Sequence, residues 1–258
     1  ANGQILKKTN YKNIWIQPAA GDAGGALGAA LAFWHHELKN KRTITKGDQM
    51  KGSYLGPSFD NNQVENTLKS HNAVFKKYEE EELIERIAED LSKGKSVGWF
   101  QGRMEFGPRA LGARSILADP RNENMQKELN LKVKFRESFR PFAPSILKED
   151  VSKWFELDCD SPYMLLVSNI KKEIQIPMSN KDKELFGIDK LNIKRSIIPA
   201  VTHVDYSARI QTVHEETNPR YQKLLKKFKE ITNCPILVNT SFNVRGEPIV
   251  CDVNDAYK

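Results

Sequence analysis

The sequence predicts a mixed α/β fold of the α+β kind, and three observations carry that reading. Short apolar runs bounded by turn residues, at 96–101, 163–169, 197–204, 208–213 and 234–239, have the length of strands. Two segments, 80–92 and 219–232, instead place apolar residues at helical spacing. The 258 residues are 39% hydrophobic and 28% charged, the balance of a globular chain rather than a disordered tail.

Taken in order, residues 13–17 (NIWIQ) predict a short strand, followed by the small-residue turn PAAGDAGG at 18–25. A helix is expected over 26–38, with Leu27, Ala30, Leu31 and Trp34 on one face. Residues 39–75 are polar and contain Gly47, Gly52, Gly56 and Pro57, so they predict a linker with a strand or two. In 80–92, Leu83, Ile84, Ile87, Ala88 and Leu91 form the apolar stripe, acids fill the first turn and Gly94 ends the helix. The strand 96–101 runs into GRMEFGPRALGARS (102–115), whose Gly and Pro imply tight turns, with room for one helical turn after Pro108. A helix over 122–131, an extended segment over 135–144 fixed by Pro141 and Pro144, and a short helix over 150–155 follow. Residues 171–195 are charged and irregular, and the strand 234–239 leads into the loop 240–246.

The formal charge is +7, and residues 101–140 alone hold six Arg and three Lys against four Glu and one Asp. A basic balance favours anionic partners, and the planar fork of Arg suits bidentate phosphate binding. The weakly polar stretch 23–34 is far shorter than the ~20 apolar residues of a membrane span, and no secretory signal opens the chain. Cys159, Cys234 and Cys251 are odd in number and lack CxxC spacing, as expected of reduced thiols in a cytoplasmic protein. The chain starts with Ala and ends as a new segment begins, so it reads as a piece of a longer protein.

Four segments could carry chemistry. The loop 102–115 combines Arg103, Glu105, Gly107, Arg109, Arg114 and Ser115; its glycines allow close backbone approach and its amides could cradle an anion. A surface loop with its Arg side chains paired to Asp119, Glu123 or Glu128 is the plain alternative. The segment 132–144 alternates Lys134, Arg136 and Arg140 with aromatic residues, which suits a charged group beside a base, or simply an edge strand. Asn239, Ser241, Asn243 and Arg245 follow the C-terminal end of a strand, a favoured ligand position, although turn chemistry also explains Asn and Ser there. The fourth group is His203, Asp205, Arg209 and Gln211, where a lone His is more often structural. His35 and His36 are adjacent on a helix and point apart, so they do not form a metal site.

Together the strings GWFQGRMEFGPRALGARSILADPRN, FRESFRPFAPSIL, PAVTHVDYSARIQTV and NTSFNVRGEPIV resemble the carbamoyltransferase family that includes the NodU nodulation protein and the antibiotic O-carbamoyltransferases. IWIQPAAGDAGGALGAAL resembles the end of that family's first domain, which has a sugar-kinase/actin-like ATPase fold. The resemblance implies three parts: residues 1–38 as a remnant of the ATPase-like domain, 39–75 as linker, and 76–258 as a YrdC-like twisted mixed sheet with flanking helices. It implies activation of carbamoyl phosphate by ATP with Mg2+ to a carbamoyl adenylate, then transfer to a hydroxyl-bearing small-molecule acceptor. Lys134-Phe-Arg136 and Ser241-Phe-Asn243 match the family's Lys-x-Arg and Ser-x-Asn signatures, which implies roles in catalysis for those residues and for Arg140. Arg103, Arg109, Arg114 and their neighbours would bind phosphate. Asp22 matches an acidic ligand to Fe2+ or another divalent metal in the full-length first domain, whose His pair this chain does not contain. Two positions depart from the pattern: Ala113 stands where the family has Asn, and Tyr206 where it has Gly.

Three spatial expectations follow. Residues 1–38 should pack on the second domain rather than stand alone. Ser241 and Asn243 should share a cavity with Lys134 and Arg136. Val97, Trp99, Ile236 and Val238 should form one apolar floor under it. The competing class is a basic nucleic-acid- or nucleotide-binding module without turnover, which would bind with steep salt dependence.

Overall fold

The computed structural model describes residues 2–11 and 14–258. Its centre is a six-stranded mixed sheet in the order β1-β2-β6-β3-β5-β4, with β1 Val97–Phe100, β2 Arg114–Ala118, β3 Ala143–Leu147, β4 Leu166–Asn169, β5 Ser207–Val213 and β6 Ile236–Ser241. The β3–β5 pair is parallel and the other pairs are antiparallel. Ten α-helices are found among the described residues: α1 Asn2–Lys8, α2 Asp22–Ala32, α3 Asn61–Ser70, α4 Glu80–Ser92, α5 Met125–Glu128, α6 Val151–Trp154, α7 Asn180–Glu184, α8 Gly187–Leu191, α9 Pro219–Thr232 and α10 Val253–Tyr257. None is long and apolar enough to cross a membrane.

The two helices with the clearest periodicity form as expected, and α4 and α9 pack against each other. α9 starts on Pro219 behind the Asn218 cap, buries Tyr221, Leu224, Leu225 and Phe228, and ends on Asn233 in the left-handed conformation. Burying each of these large apolar side chains contributes about 1.5–3 kcal/mol.

Several local expectations are corrected. Asn13 lies outside the described residues, and 14–17 are extended without strand pairing. The second helix begins at Asp22, four residues early, and closes in a π-helical turn, Phe33–Glu37. The linker holds no strand; it contains α3, opened by a capping box between Asp60 and Gln63. No helical turn follows Pro108, because 101–113 is the connection of a hairpin whose return strand is β2. Residues 197–204 form a 3-10 turn at Pro199–Val201 instead of a strand; Pro199 has no N–H to give a ladder. Two short helices, α7 and α8, occupy the segment read as irregular.

The expected packing of the N-terminal segment on the rest of the chain holds only in part: α2 and its π-helical end bury no residue, and Leu31 and Trp34 of the expected apolar face are exposed. Asn2 donates to the Leu165 carbonyl, Ala19 is buried, and Leu6, Ile14 and Ile16 lie against the main core.

Register decides what surrounds the candidate site. Trp99 pairs with Ser115 and Ser115 with Ser241, so β1 and β6 run in the same direction and end at the same edge of the sheet. The apolar floor is corrected by the same register. Val97 and Trp99 share a face with Asn239 and Ser241, while Ile236 and Val238, one residue out of step, point to the other face.

Candidate functional site

The loop 101–113 is held from every side. Trp99 Nε1 and Gln101 Nε2 both donate to the Gly112 carbonyl, at 3.0 and 2.9 Å. Gly112 has φ 103°, and a Cβ there would stand 2.3 Å from the Tyr221 ring, so both conformation and space demand glycine. The linker runs alongside: Phe106 N–H donates to Ser53 O, Gly56 N–H to Met104 O and Met104 N–H to Pro57 O, while Tyr54 donates to Leu111 O at 2.7 Å. Pro18 and Ala19 lie against Gly107, so the N-terminal turn touches the loop as well.

The expected amide cradle exists, but its anion belongs to the chain. The buried Glu105 carboxylate accepts from the amides of Leu111 (2.6 Å), Ala113 (2.8 Å) and Arg114 (3.4 Å) through Oε1. Burial pushes the Glu105 carboxyl upward, and these amides oppose the shift. Arg114 is a second correction. It is fully buried, its guanidinium lies 3.6 Å over the Phe100 ring, and its N–H groups donate to the carbonyls of Pro57, Gln101, Gly102, Ala113 and Cys251. Ser115 is also buried, accepting from the Gly112 amide. Glu105, Arg114 and Ser115 therefore build the loop instead of facing a ligand. Arg103 is exposed and donates to Gly56 O.

Arg109 is different. Its Nε is buried without a partner, and neither the Arg109 nor the Arg209 guanidinium has an ion pair or hydrogen bond among the described residues. Burial, and then the charge of Arg109, push the Arg209 guanidinium below its ordinary value. Two partly buried like charges near each other without a counter-ion form a ready anion site. His203 belongs to the same neighbourhood: burial lowers its pKa, Asp205 opposes the shift and Arg209 adds to it. His203 Nδ1 and the Ser207 hydroxyl are 3.0 Å apart, and Ser207 donates to Asp205 Oδ1 at 2.6 Å. Tyr206 sits in this turn at φ 62°, a conformation natural to glycine, and its hydroxyl reaches the Ile176 carbonyl. Asn239 is buried under the loop and donates to Ala110 O, Ser145 Oγ and Gln211 Oε1, so it supports the loop from the sheet.

The second cationic region is a cleft. Lys134, Arg136, Arg140, Ser241, Asn243 and Arg245 line a cavity of ≈ 340 Å³ together with Glu137, Val244 and Gly246. The expected shared cavity is thus present across more than a hundred residues of sequence. Lys134 ends a π-helical turn, Leu129–Val133, and its ammonium donates to Ser241 O, Ser241 Oγ (3.2 Å), Asn243 O (3.0 Å) and Asn243 Oδ1 (2.7 Å). All four acceptors are neutral. Burial, and then Arg136, push Lys134 down to about 8. Arg136 donates to Asn130 Oδ1 at 2.6 Å and lies over the Phe142 ring; Arg245 donates to Phe135 O at 3.1 Å. Arg140 alone has a carboxylate partner here, Glu137 at 2.9 Å. Four cations against one carboxylate give the cleft an excess of positive charge.

Sequence reasoning missed Tyr54 and Asn130, uncharged side chains that hold the loop and the cleft by hydrogen bonds, while Gln211, grouped there with His203 and Arg209, instead donates to Leu111 O under the loop. No charge pattern marks such residues. Asp22 opens α2 on the surface, and no group of three or more His, Cys, Asp or Glu able to hold a metal occurs among the described residues.

Family models agree with both ends of the chain. Residues 88–258 match the carbamoyltransferase C-terminus and residues 1–31 the carbamoyltransferase N-terminus. The chain belongs to the carbamoyltransferase family. It is 60% identical over its full length to an uncharacterised protein of Synechocystis, covering 42% of that protein. It is 41% identical to the nodulation protein NolO of Bradyrhizobium diazoefficiens, over 99% of this chain and 43% of NolO. It is 31% identical to the 3'-hydroxymethylcephem-O-carbamoyltransferase of Streptomyces clavuligerus, over 98% of this chain and 42% of that enzyme. The chain thus spans less than half the length of these relatives.

Proposed function

We propose that this carbamoyltransferase chain carries the donor-activating half of an O-carbamoyl transfer: it binds ATP and carbamoyl phosphate and makes carbamoyl adenylate in a YrdC-like site. One observation carries the reading. Lys134, Arg136, Arg140 and Arg245 converge on one cleft with only Glu137 to balance them, and Lys134 is held there by the matching Ser241 and Asn243.

In this reading the carbonyl and hydroxyl groups around Lys134 fix its ammonium, so it meets the nucleotide phosphates without reorganising. Arg136 and Arg140 neutralise charge developing on the leaving pyrophosphate, the usual role of cations in phosphoryl transfer. Arg109 and Arg209, left unpaired beside the loop, add to the binding of the nucleotide's phosphates. Atom balance fixes the products. Cleavage of the donor's carbamoyl–phosphate link by one water gives carbamate and inorganic phosphate. A carbamate oxygen then attacks the α-phosphorus of ATP, and the bond to the β-phosphate oxygen breaks to release pyrophosphate. No protein nucleophile is required, only placement and charge.

The described residues do not fit a metal site of their own, so Mg2+ would arrive on the nucleotide. The Fe2+ expected with Asp22 would need ligands from outside this chain. The hydroxyl acceptor and the rest of the ATPase-like domain are the partners this reading requires, in a cytoplasmic setting consistent with three free thiols. The test is exchange of labelled pyrophosphate into ATP. Exchange that depends on carbamoyl phosphate supports the proposal, and its absence under conditions where ATP binds refutes it.

A further inference from the structure

We infer that Glu105 is a positioning residue, an internal anion that fills the amide nest of the loop and thereby holds Arg109 toward its ligand. This rests on the reading of Arg109 as a phosphate ligand given above. The carboxylate reaches amides six, eight and nine residues ahead, bridging both sides of Arg109 with one oxygen. Three converging amides of this kind usually mark a place for an anionic ligand. Here the side chain takes it, which leaves an external anion to the guanidinium rather than to the backbone.

Two further observations show that the carboxylate, and not shape alone, matters. Its other oxygen is buried without a partner, a cost that a chain needing only bulk there would avoid with an apolar residue. Its surroundings are also poorly solvated: Tyr221 is fully buried and Tyr54 partly so, both are close enough to feel its charge, and their hydroxyls are pushed well above the ordinary phenol range chiefly by desolvation. Water entering the space left by a truncated side chain would offer the three amides a neutral acceptor in place of the carboxylate's charge. Without it the segment 106–113 loses its internal anchor, and Arg109, which has no other polar partner among the described residues, loses its orientation.

The test is chemical rescue. Glu105→Ala should weaken ATP binding by at least about tenfold, the scale of hydrogen bonds to a charged group. It should also speed hydrogen exchange at the amides of Leu111 and Ala113. Added formate, small enough to enter the vacated volume, should restore both, whereas chloride at equal ionic strength should restore neither. Glu105→Gln, which keeps an acceptor but not the charge, should lie between the two and serves if the Ala variant does not fold. Unchanged ATP affinity in either folded variant, or no effect of formate on the Ala variant, overturns the inference. If the wild-type chain binds no ATP, the donor-activation reading falls by itself, and slowed amide exchange with formate still decides whether Glu105 holds the loop.

Discussion

Two segments of this chain look alike in sequence and behave oppositely in the structure. The loop 102–115 and the pair 132–140 with 241–246 are both rich in Arg or Lys, and both sit at the same edge of the sheet. In the loop, Arg114 and Glu105 are buried and bonded to the chain's own backbone. In the cleft, Lys134 touches only neutral oxygens, and Arg136 and Arg245 are likewise bound to neutral groups while they face a cavity. The comparison teaches that a run of cations marks a ligand site only where the fold has not already supplied its counterparts. Arg109 is the exception inside the loop, and it is the one loop Arg whose buried nitrogen lacks a partner.

The sharpest way to break this contrast is Arg114→Ala. It strands buried carbonyls, each costing about 1–3 kcal/mol, and removes a cation stacked on Phe100. We expect a loss of at least about 3 kcal/mol in urea unfolding. A loss below ~1 kcal/mol would mean that Arg114 is not part of the frame. Arg109→Ala should do the reverse: ATP affinity falls by about 1.5–3 kcal/mol, while unfolding moves by less than ~1 kcal/mol. Calorimetry with unchanged affinity would remove Arg109 from the site.

How much of this was legible beforehand follows from the range of the forces involved. The helices α4 and α9 and the strands β1, β5 and β6 were readable because their periodicity and caps are local. The strand β2 was not, since its residues sit within a Gly-Arg-rich string and become a strand only by pairing with β1 and β6. The pairing of Lys134 with Ser241 and Asn243 was legible as a family signature, and register then explains it. The roles of Arg114 and Glu105 were not legible. Composition shows a charge but cannot show that the charge is buried against carbonyls and amides, or that Tyr54, from a segment read as linker, closes over them.

Smaller effects sharpen the comparison further. Tyr54→Phe removes one donor to Leu111 O and one acceptor from Asn218, and should cost about 1–2 kcal/mol of stability. An unfolding midpoint equal to wild type would show that the linker does not brace the loop. The cleft should also report its pH. Lys134 carries its charge below about 8 and loses it above, so pyrophosphate affinity should fall as pH rises past 8, by up to about tenfold per pH unit. Stability should move the other way. Because the folded state releases this proton more readily than the unfolded chain, Lys134 makes folding more favourable between pH 8 and 10.5. An affinity that stays flat from pH 7 to 9 would place Lys134 outside the anion site.

The most direct measurement of the central claim, that the cleft binds the phosphates while the loop supplies the frame, is calorimetric titration of ATP into the wild-type chain and the Arg136→Ala, Arg140→Ala double variant, with melting curves recorded for both. The account predicts that affinity in the double variant falls by at least tenfold, about 1.4 kcal/mol or more, while the melting temperature stays within a few degrees. Equal ATP affinity in the two proteins would contradict it.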